Sequence, residues 1–308
     1  MTTGRPGAPE SSPPTHRPRG RWTRVSLMVP AAVLFLPFLA VVLGRGFTIS
    51  LYGENLLEPA SADEFVGIGN YLRAFQDRTL LSSVWVTLAY MGVAVALQML
   101  IGVGIALLMR RHFPAKAVMR ALILIPMVLT PVVAGLTWRL LYDPTAGTVN
   151  WLLGVVGLGS DHAFLSNPST ALMAVTLVDV WQNTPYVIII VLAGLEAIDS
   201  APLEAASIDG ATGSKAVWHV ILPMARPVLA IVVMLRLIDA AKTFPLTQTM
   251  TEGGPGTATM AISNYVYREG FTLFDIGYST TMGLITATAL MVLVFPFARR
   301  VMGLGATR

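Results

Sequence analysis

Cysteine is absent from this chain of 308 residues, which excludes disulfides, thiolate metal sites and cysteine nucleophiles. Charge is scarce: Asp, Glu, Lys and Arg make up 12%, against roughly 25% in an ordinary soluble domain. Apolar residues reach 54%. A soluble body of this length would need a polar skin that the sequence cannot supply, so an all-α integral membrane protein is expected. Histidine is also sparse. His16, His112, His162 and His219 are dispersed, and no cluster has metal-ligand spacing, which argues against a membrane-embedded metalloenzyme. The formal charge is only +4, and the basic residues gather into no stripe, which argues against nucleic acid as a partner.

What is present is a series of long apolar runs. A bilayer core takes about 20 mostly apolar residues in a helix, and six segments qualify: 25–42, 83–109, 117–141, 170–198, 227–250 and 280–301. A seventh run, 149–158, is half as long and reads as interfacial or re-entrant. Arginines precede the first span, but its apolar core is too long for a signal peptide and no cleavage site follows, so an uncleaved helix is expected. Residues 1–24 form a basic tail rich in Pro, Arg and Ser/Thr, expected to be disordered. Residues 25–301 form the membrane domain, with its core at 82–300, and 302–308 a short C-terminal tail. One chain of six spans has the size of half a symmetric pore.

Lys and Arg set the orientation. They crowd the N-terminal tail, the loop with Arg110, Arg111 and Lys116, the loop 199–226 with Lys215 and Arg226, and the C-terminus with Arg299, Arg300 and Arg308. The loop 142–169 has none. Both termini and the loop 199–226 are therefore expected in the cytoplasm, in a bacterial plasma membrane. Trp22, Trp85, Trp138 and Trp151 fall near the predicted membrane edges and read as interfacial anchors.

The stretch EAASIDGATGSKAVWHVILP, residues 204–223, does not fit its greasy surroundings. Glu204, Ala205 and Ala206 favour a short helix, Asp209-Gly210 breaks it, and a second helix over 214–221, N-capped by Ser214, ends before Leu222-Pro223. Read physically, this is a bent helical pair under the membrane. The spacing Glu204-Ala205-Ala206, three residues, Gly210, nine residues, then Val220 to Pro223 resembles the signature loop of the membrane subunits of ABC importers. FVGIGNYLRAF (65–75), LIPMVLTPVVAGLTWRLLYDPTAGTVNWLL (124–153), DVWQNTPY (179–186) and LRLIDAAKTFPLTQTMTEGGPGTAT (235–259) resemble the sugar-importing branch, and Gly253-Gly254-Pro255 its maltose-type subunit.

The resemblance implies a type I importer permease whose loop docks on a separate ATPase through Glu204, Ala205, Ala206, Asp209, Gly210, Leu222 and Pro223. It also implies a second homologous permease, a dimer of ATP-binding subunits, an extracytoplasmic sugar-binding protein or lipoprotein, and surrounding lipid. ATP and Mg would be bound by the partner, and no cofactor by this chain. The run G-A-T-G-S-K (210–215) lacks the spacing and context of a Walker A loop, and no enzymatic motif is expected.

Polar groups inside the spans point to a cavity, because an ionisable residue at mid-membrane costs roughly 2.5–3.5 kcal/mol. Asp179, Gln182, Asn183 and Tyr186 share one helical face, with Pro185 expected to loosen the ladder there. Arg236, Asp239 and Lys242 recur every three residues, beside Ala240 and Thr243. Arg236 and Asp239 either meet the ligand or neutralise each other. The resemblance places sugar contacts at Asp179, Gln182, Asn183 and Tyr186, then at Arg236, Asp239, Ala240 and Thr243. A neutral di- or oligosaccharide of the trehalose or maltose type is the expected cargo, with a glycerol-phosphate derivative as the alternative. A secondary carrier with Asp179 or Asp239 as its ion site is the competing class. Pro126 and Pro131 either kink the third span or are tolerated in it.

Overall fold

A computed structural model describes residues 21–58, 64–110 and 114–305; residues 1–20 of the basic tail lie outside it. The chain forms two units, residues 1–46 and 47–308. Helix α1 (Arg21–Ser50) begins inside the expected tail and passes through Pro30 and Pro37. Phe35 and Leu34 on it are more than 70% exposed, which suits a lipid-facing span.

From residue 47 onward the helices are α2 (Gly69–Gln76), α3 (Arg78–Met109), α4 (Lys116–Val128), α5 (Pro131–Leu141), α6 (Thr148–Val155), α7 (Ala171–Glu196), α8 (Ala201–Ile208), the single turn α9 (Ser214–Ala216), α10 (Leu222–Ala240), α11 (Phe244–Met250), α12 (Ile262–Tyr267) and α13 (Ile276–Gly305). Five helical runs are long and apolar enough to cross a bilayer, and six if the α4–α5 pair counts as one span. The half-length run at 149–158 is the short helix α6 and its C-terminal turn.

Helix α7 is the centre of the bundle, with buried residues on both faces. Small residues let its neighbours approach, as is usual where lipid offers no hydrophobic drive for helices to associate. A Cβ on Gly102 of α3 would stand 2.6 Å from Val187, and one on Gly194 of α7 would stand 2.6 Å from Val228 of α10.

Two spans are broken rather than straight. α4 and α5 meet at 93°, because Pro126 and Pro131 remove backbone donors on either side of Leu129, and Thr130 caps α5 by accepting from Val133 N. The kink reading of those prolines is therefore the right one. The expected span 227–250 also breaks, at residues 241–243 between α10 and α11. By contrast α7 runs unbroken through Pro185, so the loosening expected there does not break the helix. α5 and α11 pack closely: a Cβ on Gly135 would lie 2.0 Å from Thr249 Oγ1.

The phrase at 65–75 is a structural clasp. Asn70 Nδ2 donates to the carbonyls of Ser50 and Tyr52 at 3.0 and 2.9 Å. Arg73 pairs with Asp275 at 2.7 Å and stacks on the Tyr278 ring. Asp77 caps α3 through the amides of Thr79 and Leu80 while Tyr265 and Tyr278 donate to its other oxygen. Burial would raise the Asp77 carboxyl, but these four donors outweigh it and hold the group below the usual carboxylate range. A depressed folded value means that Asp77 stabilises above about pH 4, the range of the unfolded carboxylate, and that this is lost as pH falls through the folded value. Asp77→Ala is expected to cost about 2 kcal/mol, a cap plus two stranded hydroxyls, and to flatten the acid limb of a pH–thermal-midpoint curve. A variant with the wild-type midpoint and acid limb would refute the clasp.

Candidate functional site

The two broken spans and α7 enclose a cavity of about 260 Å³ lined by Tyr90, Met127, Leu129, Pro131, Asp179, Gln182, Asn183, Asp239, Ala240, Lys242, Thr243, Pro245 and Leu246. Six of the eight sequence-predicted ligand positions thus meet at one place. Tyr186 does not: it is half-buried two turns beyond Asp179 and outside the lining. Arg236 does not either, being 2% exposed and set beneath the wall.

Arg236 organises that wall. Its Nε donates to Gln98 Oε1 at 2.8 Å, its Nη2 to Asp179 Oδ2 at 3.4 Å, and its Nη1 to Asp239 Oδ2. Gln98 Nε2 in turn donates to Asp179 Oδ2 at 2.8 Å, and Asn183 Nδ2 to Asp179 Oδ1 at 2.7 Å. Both oxygens of Asp179 are therefore engaged. A buried charge is tolerable only when paired and hydrogen-bonded, and this set of five side chains meets that condition. The Asp239 side chain is 59% exposed, so one end of the network reaches the cavity. Of the two readings left open for Arg236 and Asp239, the geometry gives mutual pairing to the first and cavity access to the second.

Two buried acceptors at the cavity are not fully met. Gln182 is 3% exposed; its Nε2 donates to Leu129 O at 2.8 Å, while its Oε1 has no partner. The Thr243 hydroxyl lies beside the Tyr90 phenol, in a loose pairing short of good hydrogen-bond geometry. A stranded buried acceptor costs about 1–3 kcal/mol, so Gln182 Oε1 is suited to meet a donor from elsewhere. The walls offer carboxylate, amide and hydroxyl oxygens and the ammonium of Lys242.

Gln98 and Tyr90 were missed in the sequence. Their signal was legible: an amide and a phenol in a long apolar helix, at positions eight apart, fall near one face.

The second feature is the segment 201–221. α8 carries Glu204, Ala205 and Ala206, and the turn reverses at Asp209-Gly210, where Gly210 has φ +79°. The cap of the following turn is Gly213, at φ +55°, rather than Ser214, whose side chain caps nothing. Leu222-Pro223 does not end that unit. The helix widens to a π-turn over Val217–Ile221 and continues into α10, because Pro223 lacks the N–H and its ring crowds the preceding turn. Glu204 and Asp209 are exposed. Ile208 and Trp218 also stand in the open at 86% and 68%.

A bundle with two broken helices around a polar cavity, and an exposed helical arm whose second half runs on into one of them, has the build of a membrane translocation subunit. Residues 98–302 match the family described as binding-protein-dependent transport system inner membrane component, and the chain belongs to that family. It is a multi-pass inner-membrane protein. A probable ABC transporter permease protein of Sinorhizobium fredii is 36% identical over 92% of both chains. The trehalose/maltose transport system permease protein MalF of Thermococcus litoralis is 34% identical over 88% of this chain and 89% of its own length. The trehalose transport system permease protein SugA of Mycobacterium tuberculosis is 30% identical over 89% and 86%. The fold is also that of a crystal structure of a bacterial ABC transporter involved in the import of the acidic polysaccharide alginate. Its TM-score is 0.76 over 91% of this chain and 95% of that one, at 20% identity.

Proposed function

We propose that this chain is the translocation subunit of an ATP-driven importer for a di- or oligosaccharide of the trehalose or maltose class. The observation that carries the reading is the cavity wall, where an engaged ion network fixes Asp179, Asn183 and Asp239, Gln182 Oε1 is left without a donor, and Thr243 Oγ1 is only loosely paired with Tyr90. Sugar hydroxyls are donors in that register. The relatives described as trehalose and trehalose/maltose permeases favour the same cargo. At about 260 Å³ the cavity falls just short of ordinary ligand sites, roughly 300–1,000 Å³. A second homologous permease would supply the opposite wall.

In this reading Gln182, Asn183, Asp239 and Thr243 touch sugar, Ala240 leaves it room, and Arg236 and Asp179 brace them; Tyr186 stands back from the ligand. The arm with Glu204, Ala205, Ala206, Asp209 and Gly210 docks on a separate cytoplasmic ATPase, with both termini on that same side. Its rigid continuation through Leu222 and Pro223 into α10 carries nucleotide-driven movement to the break at residues 241–243. An extracytoplasmic sugar-binding protein delivers the cargo. ATP and Mg are bound by the ATPase, and this chain performs no covalent chemistry.

The test is uptake of labelled trehalose and maltose by the complete complex in proteoliposomes with ATP inside. Gln182→Ala with Thr243→Ala is expected to weaken uptake by about tenfold or more, the worth of two hydrogen bonds. Uptake that survives removal of ATP and collapses with the ion gradient would replace the importer by a secondary carrier. In the same assay Glu204→Lys and Gly210→Pro are expected to reduce ATP-coupled uptake to background, the first by reversing the docking charge and the second by forbidding positive φ. Normal coupled uptake in both would remove the docking arm.

A further inference from the structure

We infer that Gln182 is a positioning residue that ties occupancy of the cavity to the angle of the break between α4 and α5. The inference rests on the cavity being the sugar site. At the break, Leu129 O cannot be served by the helix it leaves: α5 turns away at 93°, and Val133 N is spent on Thr130 Oγ1. The Gln182 amide takes over that carbonyl at 2.8 Å. A carbonyl opposite fixes which end of the amide faces it, because only the NH₂ can donate. The oxygen end is thereby aimed away from the break, and it is buried without a partner.

One side chain therefore holds the break with its donor end and offers its acceptor end to the cavity. Its two bonds cannot be optimised independently, since the amide is planar and Gln182 sits on the rigid central helix. A ligand hydroxyl that draws on Oε1 turns or shifts the amide and changes its hold on Leu129 O. The α4 side of the break resists little, while the α5 side also packs Trp138 edge-on against Trp181 of α7 at 5.4 Å. Helix α4 buries none of its side chains, and its other polar ties to α7 are the ion pairs of Lys116 and Arg120 with Glu196 at the far end. On the opposite side of the break, α5 is locked to α11 at Gly135 and Thr249, and α11 follows the second break at residues 241–243. A change at Leu129 would thus move α5 and α11 together.

The experiment uses the assembled importer, with spin labels on cysteines introduced at Val118 of α4 and Leu140 of α5. Both positions are at least 60% exposed, and the chain has no cysteine of its own. The interlabel distance is measured with and without saturating sugar, using whichever of trehalose and maltose raises ATP hydrolysis more. In the wild type a sugar-dependent shift is expected. In Gln182→Met, similar in size but without donor or acceptor, sugar should bind about tenfold more weakly, one hydrogen bond's worth, and the shift should be lost even at saturation. If Gln182→Met fails to assemble, Gln182→Asn, one carbon too short to reach both partners, is read instead. A variant that retains the full shift once saturated is an ordinary ligand contact, and the relay is wrong while the sugar site stands. A wild-type complex that binds and responds to neither sugar sinks the carbohydrate site, and the relay with it.

Discussion

Arg236→Leu is expected to abolish assembled protein, because it strands a carboxylate in the middle of the bundle. Asp179 is 5% exposed and would keep the amides of Gln98 and Asn183 but lose its only cation. Breaking a buried pair from one side costs about 3–5 kcal/mol, a large share of the roughly 5–15 kcal/mol by which folded proteins are stable. Asp179→Asn should be milder, about 2 kcal/mol, since Arg236 keeps Asp239 and Gln98. The asymmetry is the informative part: Arg236 is the cation shared by both carboxylates, whereas Arg236 without Asp179 still has the Asp239 carboxylate. Adding Asp179→Leu to Arg236→Leu should restore part of the loss, because no buried charge then remains unpaired. The readout is the heat-induced aggregation midpoint of the detergent-purified complex, with membrane abundance as its companion. An unchanged midpoint in Arg236→Leu would show that the network does not brace the wall.

A second large loss is expected from adding one methyl group at Gly277. Its Cβ would stand 2.2 Å from Tyr52 O and 3.1 Å from Glu54 N, both backbone atoms, so no side chain can swing aside. Nor can the backbone withdraw. Asn70 holds Tyr52 O, Gly277 N donates to Glu54 O at 3.0 Å, and Thr281 Oγ1 donates to Ser50 O at 3.2 Å. Overpacking against fixed atoms costs about 1–3 kcal/mol or somewhat more, and Gly277→Ala should fall at the upper end. Gly283 in the same helix has nothing within 4 Å, so Gly283→Ala should be neutral or gain up to about 1 kcal/mol of helix propensity. Equal midpoints for the two variants would mean that the clasp at the start of α13 gives way easily.

The number of spans and the place of the polar cavity were legible because they are written in one dimension: apolar run length, and polar residues at helical spacing within it. Asp179, Gln182, Asn183 and Asp239 were found in that way. Arg236 and Tyr186 fall outside the cavity lining for one reason, since helical spacing gives the face of a residue but not whether that face meets a void or a neighbour. Arg236 meets Gln98, from a helix 138 positions away, and no local pattern could announce that pairing. Prolines misled in a similar manner. Pro185 sits in a helix supported on all sides and leaves it unbroken, whereas Pro126 and Pro131 flank a weakly packed segment and fold it nearly square. The cap at 214 went wrong because Gly213 takes a positive φ that starts the next helix without a side-chain acceptor. Asn70 and Arg73 were read only as part of a familiar phrase; their work is to clasp segments far apart in the chain.

The exposure of Ile208 and Trp218 bears on how the cell must make this protein. A copy synthesised without its docking partner would present an isoleucine and an indole to water, beside helices whose remaining sides are satisfied by lipid. Such a copy is a ready target for chaperones and membrane proteases. If the arm docks on an ATPase as proposed, production of the two chains has to keep step, and surplus copies of this one should be short-lived.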